Sequence, residues 1–152
     1  MTGRRSALRL AVQGHEDFAS LPARATLRRW LALALPDGGQ IGLRFVGTRE
    51  GRALNREFRG RDYATNVLTF DYGGDDGVCA DIVLCMPVVR REAREQSKPL
   101  RSHLAHLLIH GALHARGMDH GHARQARAME RLERRLLEQL GIPDPYAEVS
   151  TN

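Results

Sequence analysis

The stretch HLLIHGALHARGMDH, running from His106 to His120, constrains this chain more than any other. Its first part has helical spacing, and a helix puts residues four apart on one face, with Cβ atoms ~5–6 Å apart. His110 and His114 are such a pair. Two imidazole nitrogens so placed can both reach one zinc at ~2.0–2.1 Å. His106 lies a further turn back. It cannot share an ion with His114, because a rise of 1.5 Å per residue spreads the three over ~12 Å. Gly117 then predicts a helix stop, since a residue without Cβ turns the chain back through positive φ. That turn returns His120 towards His110 and His114, and favours this pair over His106 and His110. The expected ligands of one zinc ion per chain are therefore His110, His114 and His120.

Three protein ligands leave a fourth position open. Structural zinc sites usually close with four, so an open position points to catalysis. H-x-x-x-H-x-x-G-x-x-H is also the metal-binding spacing of the metzincin peptidases, which carry a glutamate after the first histidine as general base. Here that position is Gly111. The peptidase base is absent while the metal spacing is kept, which disfavours peptide hydrolysis. It favours a substrate such as a phosphodiester, where a metal and a cation carry most of the charge stabilisation. A glutamate at position 111 is expected to sit beside such a substrate.

The rest of the chain predicts one α+β domain over residues 1–152. Strands are expected in ALRLAV, QIGLRFVG, NVLTFDY and VCADIVLCM, with GGDDG breaking the last two apart. Helices are expected from Leu21 to Leu35, through REGRALNREF with Thr48 as its cap, and through VVRREAREQ. Two more follow, LRSHLAHLLIHGALHAR closed by Gly117 and ARQARAMERLERRLLEQL closed by Gly141. The expected architecture is a small mixed sheet of about four strands packed by helices, with the metal-binding helix followed by a glycine turn. Apolar residues make up 42% of the 152, which excludes a disordered chain. Cys79 and Cys85 have neither redox nor zinc-knuckle spacing and read as free thiols. His103 and His106 read as packing or hydrogen-bonding residues, and His15 and His122 as surface residues. No apolar run suits a signal peptide or a membrane span, so a cytoplasmic protein is expected. Lys+Arg exceed Asp+Glu by 23 to 18, and Lys98 is the only lysine, so the +5 charge is carried by arginine. A basic balance favours a polyanionic partner.

HGALHARGMDH resembles the H-G-x-L-H-x-x-G-x-D-H signature of the bacterial YbeY endoribonucleases, or rRNA maturation factors. LNREFRGRDYATNVLTF resembles the family's second block. ADIVLC is similar to its G-D-I-V-I strand, REAREQSKPLRSHLAHLLIHG to the helix leading to its metal, and LGIPDPY to its ending. The match runs in order from about Leu54 to Tyr146. The chain departs from the pattern at Met118, at Ala115-Arg116, at Ala80 and in GHARQAR after His120, none of them a predicted ligand.

The resemblance implies a zinc-dependent endoribonuclease that cuts single-stranded RNA, with a role in 16S rRNA 3′-end maturation and ribosome quality control. It implies His110, His114 and His120 as zinc ligands and Arg59, in FRGRD, as the functional arginine. A guanidinium suits that role, because it grips a phosphate bidentately. Asp119 would orient a ligand or serve as a turn residue. Expected partners are single-stranded RNA, ribosomal RNA and the small ribosomal subunit, with neither membrane nor DNA. Two rivals stand beside this reading: a metzincin-like zinc peptidase, and a non-catalytic ribosome-assembly factor with a structural zinc site.

Overall fold

The computed structural model describes residues 7–73, 77–118 and 121–146. The chain enters as strand β1 (Leu8–Gln13) and, after a single 3-10 turn at His15–Asp17, helix α1 (Arg24–Ala34). Strand β2 (Gly39–Val46), helix α2 (Thr48–Arg59), strand β3 (Val67–Asp71) and strand β4 (Cys79–Cys85) follow. Three helices close the chain: α3 (Met86–Glu95), α4 (Leu100–Ala115) and α5 (Ala123–Gln139). The strands form one sheet in the order β1-β2-β4-β3. β1 and β4 flank β2 in parallel, whereas β3 runs antiparallel to β4 with Thr69 opposite Ile82, which leaves β3 at an edge. The predicted α+β fold with a four-stranded mixed sheet is the one observed.

Strand alternation divides the apolar side chains between two faces. Ile41, Leu43 and Phe45 of β2 and Ile82 and Leu84 of β4 are buried in the main core, together with Leu27, Trp30 and Leu31 of α1 and most of α4. Burying each such side chain contributes about 1.5–3 kcal/mol. On the other face Val46, Leu68, Val83 and Cys85 form a smaller cluster with Leu54 and Phe70. α4 is apolar nearly all round, and its buried residues run from His103 to Ala115. Past its first two residues, only one stripe of it, Ser102, His106, His110 and His114, stays half-exposed at four-residue intervals. A helix that must be buried on every other side thus has one strip left for polar chemistry.

The helix ends follow the glycines: Gly60, Gly117 and Gly141 take positive φ of 68°, 92° and 73°. One expected cap differs. α2 begins at Thr48 itself, so Gly47 takes the capping position and no side chain caps it. Cys79 and Cys85 are free thiols. The break expected at GGDDG falls partly on residues 74–76, outside the described residues.

Candidate metal centre

α5 packs along the open strip of α4 and inserts Glu133, which has no solvent exposure. Its carboxylate accepts a short hydrogen bond from Nδ1 of His110 on one oxygen. The other oxygen accepts from the Tyr146 hydroxyl and lies 3.7 Å from Nε2 of His106. Tyr146 follows the turn at Gly141 and is held in place from several sides. Its amide donates to Asp144 at 2.8 Å, Arg134 reaches Asp144 at 3.2 Å, and the Arg134 guanidinium lies 5.2 Å from its ring centre. Its hydroxyl is also 3.3 Å from Nε2 of His106.

Burial alone favours the neutral acid at Glu133. The bonds from His106, His110 and Tyr146 outweigh it and lower the pKa to about 2. Burial and the same carboxylate raise the Tyr146 phenol above its ordinary value, so Tyr146 stays a donor. An ionised carboxylate can only accept, so Nδ1 of His110 carries a proton, and in the neutral ring Nε2 then holds the lone pair.

Nε2 of His110 lies 3.1 Å from Nε2 of His114. Two nitrogens each ~2.0–2.1 Å from a tetrahedral zinc stand about 3.3 Å apart. The pair therefore fits one ion with little movement, and the carboxylate behind His110 is the outer support that metal-binding histidines ordinarily have. His106, His110 and Glu133 also form a group able to hold a metal, with one ligand atom each within 4.8 Å of one another. The short His110–Glu133 bond leaves no room for an ion between those two atoms. The Nε2 side of His110 suits the ion better. His120 and Asp119 lie outside the described residues.

A cleft of about 600 Å³ opens beside β3, and Arg59, Asn66, Thr69, His110 and His114 are among the residues that line it. Arg59 reaches it as the last residue of α2, just before the turn at Gly60. The structure thus brings Arg59, His110 and His114 to one cavity from chain segments fifty residues apart. Asn66 is fixed in the wall: its amide donates to Glu92 at 3.0 Å, and Glu92 also bonds Nε2 of buried His103 at 3.0 Å. Beyond this, His15 bonds the Pro22 carbonyl at 2.8 Å and His122 is exposed at the start of α5.

Gly111 has a reason of its own. A Cβ there would stand 3.2 Å from Oγ1 of Thr69 and 3.3 Å from Cγ2 of Ile82. The helix lies so close to the sheet that a side chain at 111 starts against β3 and β4. A glutamate here, expected beside the substrate, would start from this crowded position against Thr69, a residue that lines the cleft.

Glu133 and Tyr146 were missed as site residues. A signal existed for Glu133: Met129, Glu133, Leu136 and Leu137 are the buried residues of α5, so a lone carboxylate interrupts an apolar stripe. Tyr146 left no such mark, because only the returning chain gives it a role.

In class, this is an α+β protein with a candidate metal centre of histidines supported by a buried carboxylate. A family model described as Endoribonuclease YbeY matches residues 13–141. A protein named Endoribonuclease YbeY from Bordetella pertussis is 56% identical over 151 residues, covering 91% of this chain and 96% of its own. Its counterpart from Aromatoleum aromaticum is 52% identical over 145 residues, covering 93% and 94%. The solution structure of TM1509 from Thermotoga maritima matches the fold with a TM-score of 0.57 at 22% identity, covering 94% of this chain and 99% of that one. The chain belongs to the YbeY endoribonuclease family.

Proposed function

We propose that this protein is a zinc-dependent endoribonuclease that cuts single-stranded RNA in rRNA processing, including 16S rRNA 3′-end maturation and ribosome quality control. The observation that supports it best is the sharing of one cleft by Arg59, His110 and His114. His110, His114 and His120 would hold the zinc, which would supply Lewis acidity and lower the pKa of a water there. Arg59 grips the scissile phosphate and takes up its growing negative charge. Glu133 keeps His110 in the tautomer that offers Nε2. The +5 net charge and the family's endoribonuclease name support an RNA partner, and the small ribosomal subunit is the natural place for one. The proposed setting is cytoplasmic, and among the described residues no helix is long and apolar enough to cross a membrane.

The test is cleavage of an unstructured RNA and of casein, each with and without a chelator. Chelator-sensitive cutting of RNA alone is expected. Chelator-sensitive proteolysis, or ribosome maturation supported by a variant stripped of its metal ligands, overturns the reading.

A further inference from the structure

β3 separates two clefts. The one already described runs along its edge, and a second of about 360 Å³ lies on the sheet face under α2, lined by Gly42, Arg44, Tyr72 and Asp81 among others. Phe58 and Phe70 line both. Their rings meet edge to face with centroids 4.9 Å apart and an interplanar angle of 69°. Together they form a wall common to both clefts. Phe70 is half-buried, while Phe58 leaves 57% of its surface in water.

Covering that ring would be favourable. Aromatic residues are 5% of this chain, yet the exposed large hydrophobics among the described residues are all aromatic: Phe58, Tyr63 and Tyr72. Core residues left over at a surface would include leucines and valines, which this chain has in number. Flat rings beside an arginine suit a nucleobase, since every base offers a π-face and stacking tolerates any sequence. Phe58 and Arg59 are consecutive on a helix, so their side chains diverge by ~100°. A phosphate held by Arg59 then has a base of the same or the next nucleotide within reach of Phe58.

We propose that Phe58, braced by Phe70, stacks a nucleobase beside the scissile phosphate, so that single-stranded RNA crosses this wall from the histidine cleft into the second cleft. This rests on the nuclease reading, and it adds a base-binding subsite. The Phe58–Phe70 wall shared by the two clefts, next to Arg59, and the positive net charge of the chain favour a nucleic acid strand as the occupant over an apolar peptide.

The test is single-turnover cleavage by the zinc-loaded protein, titrated to saturation, on intact RNA and on the same RNA with one abasic ribose moved stepwise along it. With the unaltered protein, one abasic position should raise the half-saturating concentration by about 5- to 100-fold. Phe58→Leu, which keeps apolar bulk but loses the flat ring, should do the same on intact RNA, while Phe58→Tyr stays near the unaltered protein. The abasic substitution should add nothing to Phe58→Leu. Normal cutting with no sensitive abasic position, or additive losses from variant and abasic site, overturns the subsite and leaves the nuclease reading standing. Failure of the unaltered protein to bind or cut RNA at all overturns both. The abasic scan needs no substitution, so a misfolded Phe58→Leu cannot obscure the result.

Discussion

The Glu133 carboxylate accepts from Nδ1 of His110, and that bond decides which ring nitrogen His110 turns towards His114. A residue with no solvent exposure thereby orients a side chain of a cleft that it does not itself line.

Replacing that carboxylate should weaken metal binding without removing a ligand. Glu133→Gln keeps the shape but loses the charge that makes His110 a better donor. Zinc affinity should fall by ~10- to 100-fold, the usual cost of losing such a support. A competition titration with a chromophoric chelator measures it. Unchanged affinity would separate Glu133 from the metal.

The same residue carries a pH dependence. Its folded-state pKa of about 2 lies below the ordinary 4.5. Its contribution is therefore complete above pH ~4.5 and is lost as the pH falls towards ~2. In metal-free protein this amounts to a few kcal/mol of stability. Urea melts across that window should show a shallower decline for Glu133→Gln than for the unaltered protein. Parallel declines would mean that other groups carry the acid sensitivity.

The two metal groupings make opposite predictions. With the ion on the Nε2 side of His110, His114→Ala should abolish most zinc binding and His106→Ala should keep about one zinc per chain. With the ion among His106, His110 and Glu133, the outcomes exchange. Elemental analysis of the purified variants decides between them.

Gly111 should behave as a packing residue. Gly111→Ala gains up to ~1 kcal/mol of helix propensity but must push Thr69 and Ile82 aside, which costs about 1–3 kcal/mol. A net loss of about 1 kcal/mol is expected in chemical denaturation. Gly111→Glu adds a charge in the same place and should lose more than ~3 kcal/mol. A Gly111→Glu protein as stable as its parent would show that the helix can shift away from the sheet.

Arg59 should matter more to the rate than to binding. Arg59→Ala is expected to keep its fold and its zinc, bind RNA with modest loss and cut ~10²-fold more slowly or worse. Arg59→Lys should recover only part, since an ammonium lacks the planar fork. Single-turnover rates at saturating protein provide the check. Wild-type speed from fully bound Arg59→Ala would withdraw its catalytic role.

The elements were legible because each has its own local signal. Ile41, Leu43 and Phe45 alternate, Leu27, Trp30 and Leu31 recur at helical spacing, and Gly117 and Gly141 mark turns. The convergence of His110 and His114 was legible for the same reason, since a helix turn is local geometry. Arg59 depended on likeness to a family, because nothing local distinguishes it from the other arginines. The partnership of Glu133 and Tyr146 with the histidines was not legible. It depends on how α5 lies across α4, and packing between distant segments leaves no periodic trace. The tightness behind Gly111 was hidden likewise, because it belongs to the gap between a helix and a sheet.

The histidine site is assembled from pieces made at different times. A chain emerging during synthesis displays His110 and His114 well before Glu133 exists, and Tyr146 comes later still. Until α5 has been made and laid against α4, His110 lacks the carboxylate that fixes its tautomer. Metal capture is coupled to folding in such sites. Here the coupling would be to the last part of the described chain, so an ion held by these histidines would mark molecules in which α5 has already docked.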